Sequence, residues 1–339
     1  MKNQPKQFAH LLDKSERILI TSHISPDPDA ISSVLLLGTT LRLNYPDKQI
    51  EMVLEEASNH DLSFLESYDK ITQQPLNKAI TDFKPDLFIM VDAMNVERNT
   101  RTGAAAVREF LAHNKVKQII IDHHEEIGRD QVDLYINDRL PATAQQVYQL
   151  CFDDLKLQKP NKYAQTALLG IVADTSRFKY DNPAYKKTFR VVERLLDDGA
   201  SIEALENRLE RYTQAQMLVF SNLAKNVHVS DKGYTYSYID DDFVQKVTDQ
   251  PAFKTACELF TSRFMRNIEA NEWGFLVYPE PANGQKAYSV SFRSANKVRD
   301  VAELAGKLGG GGHKRAAGTK GIKAKTVEEA VKKVEAVIE

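Results

Sequence analysis

The chain has two cysteines and one tryptophan in 339 residues, and its 45 basic and 47 acidic side chains nearly cancel. Cys151 and Cys257 each lie inside an apolar helical stretch, which gives neither a disulfide framework nor the spacing of a zinc site. They read as buried thiols in a reducing cytoplasm. The near-neutral balance supplies no global field for nucleic acid or a membrane surface, so any polyanion site has to be local. The opening "MKNQPKQFAHLLDKSERILI" holds no long apolar run, and no stretch approaches the roughly 18 uninterrupted apolar residues of a membrane span. A cytoplasmic protein without a membrane partner is expected. Internal repeats and low-complexity tracts are also missing, and the one glycine run is "GGGGH" at 309–313. What is present, 42% hydrophobic and 27% charged residues, is ordinary globular composition. The length exceeds what one core usually serves and predicts two domains.

Short apolar runs ("RILIT", "IEMVLE", "LFIMVDA", "KQIIID", "VDLYIN") alternate with helical patterns such as "ISSVLLLGTTLRLNY", "AAAVREFLAHN" and "ATAQQVYQLCFDDL". This is the pattern of an α/β domain, a mostly parallel sheet flanked by helices, expected over 1–185. Charged amphipathic helices follow, read as a helical linker over 186–225. The remainder, 226–339, is expected to be a smaller α+β domain. Its hairpins turn at "DKG" and "PANG", and its helices are "PAFKTACELFTSRFMRN" and "VEEAVKKVEAVIE".

Ligands of parallel sheets bind at the carboxyl ends of the strands. The first, third and fourth apolar runs end in His23, Asp92 and "DHH" at 122–124. Taken singly, Asp27 or Asp29 of "HISPDPDA" reads as a helix N-cap. Taken together, His23, Asp27, Asp29, Asp92, His123 and Asp174 would converge on one sheet edge, where four carboxylates repel unless a cation neutralises them. Four aspartates and two histidines suit two divalent ions, with Mn²⁺ preferred for mixed carboxylate and imidazole ligation. An extended "PDPD" would let Asp27 and Asp29 reach different ions from the strand end. Pro26 and Pro28 either stiffen that segment or simply stop the strand.

"HISPDPDA", "VDA", "DHH" and "GIVADTSRF" occur in the order and approximate spacing of the four motifs of the DHH phosphoesterase superfamily. "FRSANKVRDVAELAGKLGGGGHKRAAG" resembles the signature of its companion DHHA1 domain. The chain is most similar to the bacterial nanoRNase and 3′-phosphoadenosine 5′-phosphate phosphatase subfamily. That resemblance implies a Mn²⁺-dependent phosphodiesterase that degrades very short oligonucleotides to nucleoside 5′-monophosphates and dephosphorylates adenosine 3′,5′-bisphosphate. Two metals about 3.5 to 4 Å apart would activate a water for in-line attack. It implies that His23 and Asp27 bind one metal, that Asp29, His123 and Asp174 bind the other, and that Asp92 bridges them. Asp122 would orient an imidazole, and His124 would face the scissile phosphate as charge stabiliser or proton donor. Pro28, Ser32 and Ser176 stand where glycine is usual.

The glycine run reads on its own as a flexible turn or as a phosphate cradle. With "SFRS" upstream, the resemblance implies that Arg293, Ser294, Gly310, Gly311, Gly312 and His313 hold the terminal nucleotide. Lys314 and Arg315 are left open. Arg177 either reaches the phosphate or makes a salt bridge. His10, His60, His113, His228, Trp273 and the tyrosines of "GYTYSY" read as surface or packing residues. Short oligonucleotides or nucleotides are the expected partners and long duplex nucleic acid is not; a homodimer is compatible with the sequence. The alternatives are a cyclic or linear dinucleotide phosphodiesterase, a pyrophosphatase or polyphosphatase, and a non-catalytic nucleotide- or RNA-binding protein.

Overall fold

The computed structural model describes residues 3–124, 128–269, 271–280, 286–295 and 298–338. Contacts divide the chain into two units, Met1–Glu210 and Arg211–Glu339. The first runs α1 (Gln4–Asp13), β1 (Arg17–Thr21), α2 (Pro28–Asn44), β2 (Gln49–Leu54), β3 (Ile71–Gln73), α3 (Leu76–Phe83), β4 (Leu87–Val91) and α4 (Val96–Asn99). It continues through α5 (Ala104–His113), β5 (Lys117–Ile121), β6 (Leu134–Ile136), α6 (Thr143–Tyr148), α7 (Tyr163–Asp174), α8 (Tyr185–Asp197) and α9 (Ile202–Leu209). Its six strands are all parallel, in the order β3-β2-β1-β4-β5-β6. Alternation along the strands explains the continuous apolar runs. Ile18, Ile20, Leu87, Ile89, Val91, Ile119 and Ile121 enter one core, while Leu19, Phe88, Met90 and Ile120 enter the core on the opposite face.

Two elements depart from the expected pattern. Helix α2 begins at Pro28, three residues before "ISSVLLLG", so the second half of "PDPD" is helical, while Asp27 keeps an extended backbone. Asp27 is the N-cap, its Oδ1 accepting the Ala30 N–H at 3.0 Å, and Pro28 fills the first helical position, where a missing N–H costs nothing. The "ATAQQVYQLCFDDL" helix changes at Gln149, where a π-helix runs to Asp154. Cys151 and Cys257 are buried and free. Burial pushes the Cys151 thiol up to about 12.

The second unit runs α10 (Gln214–Lys225), β7 (His228–Val229), β8 (Thr235–Tyr238), α11 (Asp241–Val244), α12 (Gln250–Phe264), β9 (Trp273–Pro279), β10 (Ala287–Ser294), α13 (Val301–Lys307), β11 (Gly311–His313), β12 (Ala316–Lys323) and α14 (Val327–Ile338). Its sheet order is β11-β12-β10-β9-β8-β7, parallel only between β8 and β9. Side chains of α13 and α14 join one core of this sheet, and those of α10 and α12 join the other. The "DKG" and "PANG" hairpins correspond to β7–β8 and β9–β10, although the "PANG" turn itself lies outside the described residues. A third hairpin, β11–β12, was not expected from a glycine run. Of the helical stretch 186–225, α8 and α9 pack on α7 in the first unit, and α10 packs on α12 in the second. Among the described residues no helix is long and apolar enough to cross a membrane.

Candidate metal centre

The strand order of the first sheet reverses between β1 and β4, which opens a crevice at their carboxyl ends. His23 follows β1, Asp92 follows β4, and Asp122, His123 and His124 follow β5. Nδ1 of His23 lies 2.9 Å from the Ile24 carbonyl, so it carries the hydrogen and a neutral ring turns the Nε2 lone pair outward. That Nε2 is 3.4 Å from Oδ2 of Asp92. Two electron-rich atoms face each other there, an arrangement that calls for a shared proton or cation. Asp92 itself adopts a left-handed backbone (φ 56°), uncommon outside glycine and costing of order 1 kcal/mol, while its N–H donates to Ile121.

Asp29, in the first turn of α2, is buried. Its Oδ2 accepts the Thr143 N–H at 2.7 Å and its Oδ1 the Ala144 N–H at 3.0 Å, so a carboxylate on one helix closes the N-terminus of another. Oγ of Thr143 donates to Oδ1 of Asp92 at 2.9 Å. Each carboxylate oxygen keeps a second lone pair for a ligand. The Asp174 carboxylate, at the end of α7, places Oδ2 3.2 Å from Nε2 of His123. That Nε2 is also 3.6 Å from Oδ1 of Asp92, and it is buried without a hydrogen-bond partner.

Asp122 is fully buried and accepts both the backbone N–H of His124 (3.0 Å) and its Nδ1 (2.8 Å). The carboxylate thereby fixes the imidazole and raises its pKa to about 9, against the opposing effect of burial. That shift favours the imidazolium at neutral pH, and among the described residues the Nε2–H of His124 has no acceptor. Burial favours the neutral forms of Asp29 and Asp174, and the surrounding carboxylates push them further up, Asp174 to about 8. Asp92 moves the other way: burial opposes its charge, but His23, His123 and His124 hold it well below the usual range. Burial likewise disfavours the cation on His23, yet the Asp92 carboxylate outweighs it and raises the pKa. The protein thus gathers more acid groups than it can ionise together.

Three groups of ligand atoms, each within 4.8 Å, could hold metal: Asp92 with Asp122, His123 and His124; His23 with Asp27 and Asp92; and Asp29 with His123 and Asp174. The orphaned Nε2 of His123 and the mixed carboxylate and imidazole donors fit divalent ions of intermediate hardness. A cleft of about 640 Å³ opens beside them, lined by His123, His124, Asn137, Arg139, Leu140, Pro141, Asp174 and Asn182.

Of the nine residues singled out in the first unit, the structure brings together eight, all but Arg177. That guanidinium is committed to Glu206 (2.8 and 3.0 Å) and Glu210 (2.7 Å). Ser176, where glycine is usual, starts three consecutive left-handed residues with Arg177 and Phe178. Ser32 is buried on α2 facing Gly170. Arg293, Ser294 and His313 lie in the second unit on β10 and β11. Arg293 is half-buried, and its guanidinium donates to the Phe292 carbonyl, while the Ser294 hydroxyl is engaged with Ala295 and Arg299. The glycine run is not a free loop. An added β-carbon on Gly310 or Gly312 would strike β12, 2.2 Å from the Gly318 carbonyl oxygen and 2.6 Å from Cα of Ala317. Close strand approach is therefore one reason for those glycines. The sequence reading missed Thr143, Gly170, Asn137 and Arg139. "PAT" before a helical pattern marked a helix start, but nothing in it pointed to Asp29, 114 positions away.

Residues 17–171 match the N-terminal domain of the DHH family, and residues 231–339 match the DHHA1 domain. The chain is a DHH–DHHA1 protein. Over 312 residues this DHH–DHHA1 chain is 28% identical to the bifunctional oligoribonuclease and PAP phosphatase NrnA of Mycoplasma pneumoniae, covering 89% of this chain and 87% of that one. It is 27% identical over 305 residues to the Bacillus subtilis protein of the same name, covering 89% and 88%. The crystal structure of an exopolyphosphatase-related protein from Bacteroides fragilis shares the fold, with a TM-score of 0.82 at 22% identity over 100% of this chain and 96% of that one.

Proposed function

We propose that this DHH–DHHA1 chain is a phosphoric ester hydrolase, a divalent-metal-dependent phosphodiesterase of very short oligoribonucleotides that also removes the 3′-phosphate of adenosine 3′,5′-bisphosphate. The observation that carries the reading is the convergence of Asp92 and Asp174 on the buried, unpartnered Nε2 of His123, with Asp29 and Asp122 in the same groups of potential ligands. Similarity to NrnA proteins over most of their length supports the substrate class. His23 and Asp27 would hold one ion, Asp29, His123 and Asp174 a second, and Asp92 would serve both. When bound, two such ions, of which Mn²⁺ suits the donor set, lower the pKa of water and neutralise charge on phosphoryl oxygens.

The chain's own groups do the rest. Thr143 fixes Oδ1 of Asp92, and the amides of Thr143 and Ala144 fix Asp29. His124, held by Asp122 and opening on the cleft, donates a proton toward the departing oxygen or hydrogen-bonds a nonbridging one. In the second unit Arg293, with Ser294, Gly310, Gly311, Gly312 and His313, takes the terminal nucleotide.

The test is a rate comparison with Mn²⁺ on a diribonucleotide, a longer RNA, a cyclic dinucleotide, adenosine 3′,5′-bisphosphate and pyrophosphate. The diribonucleotide and the bisphosphate are expected to react fastest, and Asp92→Ala to lose at least a hundredfold on both. Turnover restricted to the cyclic dinucleotide or pyrophosphate rejects the substrate class, and absence of Mn²⁺-dependent turnover rejects the enzyme.

A further inference from the structure

Arg177, the arginine that sequence pattern places nearest the fourth-motif aspartate, is bound to Glu206 and Glu210, yet another arginine lines the cleft. Arg139 stands beside His123, His124 and Asp174 in the cleft wall. Among the described residues its guanidinium has no hydrogen-bond acceptor and no carboxylate within ion-pairing distance. Its placement is built. The backbone is left-handed at φ 52°, a conformation a non-glycine residue keeps only when its surroundings impose it. The surroundings here are Asn137. Its Oδ1 accepts the Arg139 N–H at 2.8 Å, while its Nδ2 donates to the His124 carbonyl at 2.8 Å and to the Tyr135 hydroxyl at 2.7 Å. One asparagine thus ties the arginine's backbone to that of His124.

Asn182, also in the cleft wall, adds a second donor. Its Oδ1 accepts the Ala184 N–H at 2.8 Å, which fixes the amide orientation and leaves Nδ2 without an acceptor among the described residues. A planar five-donor cation and an amide N–H, both without acceptors, are the groups that recognise a phosphate.

We propose that Arg139 and Asn182 form an anion subsite for a second substrate phosphate, distinct from the one at the carboxylate cluster. The distinction follows from pairing. Nδ1 of His124 is 3.6 Å from Asp92, whereas Arg139 pairs with no carboxylate among the described residues, so its guanidinium is not tied to the cluster. The volume of about 640 Å³ leaves room beyond a single phosphoryl group. The subsite selects substrates carrying a phosphate besides the scissile one, such as a 5′-phosphorylated diribonucleotide or a nucleoside bisphosphate. This inference rests on the hydrolase reading above.

The experiment compares kcat/KM for a 5′-phosphorylated diribonucleotide and its unphosphorylated counterpart in wild type and Arg139→Gln. The preference for the phosphorylated substrate should fall about tenfold, as expected on losing a charge-assisted contact, with Arg139→Lys retaining part of it. An unchanged preference, through equal loss on both substrates or none, overturns the subsite. If the wild type hydrolyses neither substrate, the hydrolase reading fails by itself. Calorimetry with adenosine 3′,5′-bisphosphate and adenosine 5′-monophosphate in Ca²⁺ then decides the subsite. A selective loss of bisphosphate affinity in Arg139→Gln supports it, and parallel or absent changes reject it.

Discussion

A β-carbon placed on Gly170 would lie 2.6 Å from Oδ1 of Asp29. The same atom would be 2.5 Å from Cβ of Ala144, so the crossing of α7 with α2 and α6 is close because residue 170 has no side chain. Neither neighbour can yield freely, since both oxygens of Asp29 are held by the amides of Thr143 and Ala144. Gly170→Ala is expected to cost about 1 to 3 kcal/mol by overpacking. It should also weaken Mn²⁺ binding about tenfold or more by displacing the Asp29 carboxylate. Denaturant unfolding and Mn²⁺ titration measure the two effects, and intact Mn²⁺ affinity would show that Asp29 tolerates the displacement.

Thr143 acts on Asp92 through its hydroxyl as well as on Asp29 through its amide. Thr143→Val keeps the shape and the amide but removes the donor to Oδ1 of Asp92. It should lower metal affinity on the order of 10-fold, within the range for groups that orient ligands, with Thr143→Ser recovering most of it. If the Val and Ser variants bind Mn²⁺ equally well, Thr143 holds the helix and not the carboxylate.

The motif residues were legible because their geometry is local: apolar strands end, and the next polar side chain stands at the sheet edge. Asp27 was readable as an N-cap from its position before Pro28. Asp29 was readable as an acid of the cluster but not as the cap of α6, because that pairing joins positions 29 and 143. The left-handed Arg139 carries no mark in the sequence, and Asp92 only the weak enrichment of aspartate in such backbone, which local pattern suggests chiefly at glycine, asparagine and aspartate. The β11–β12 hairpin was hidden by composition: glycine is depleted in strands, and here it is required by the neighbouring strand. For Arg177, pattern left phosphate contact and salt bridge open, and it took the positions of Glu206 and Glu210 on and beyond α9 to show its partners.

Crowded acids make stability without metal depend on pH in a defined direction. Asp174 is raised to about 8 by burial and by Asp92 and Asp27, and Asp29 is raised by the same causes. His124 is raised to about 9 by Asp122. Their unfolded values are about 3.9 for the aspartates and 6.5 for the histidine. Between pH 7 and 9 the folded chain therefore binds more protons than the unfolded chain at both kinds of site, and stability falls as pH rises, by about 1.4 kcal/mol per pH unit for each proton retained. The depressed Asp92 contributes no slope in this window, because it is ionised in both states. Divalent ions neutralise the same carboxylates and bind better once these are deprotonated. The melting temperature of the EDTA-treated protein should drop between pH 7 and 9, and the rise on adding Mn²⁺ should be larger at pH 8.5 than at pH 7. A metal-free melting temperature that climbs across that interval would mean that the carboxylates are already neutralised by protein cations, and the cluster would need no divalent ion.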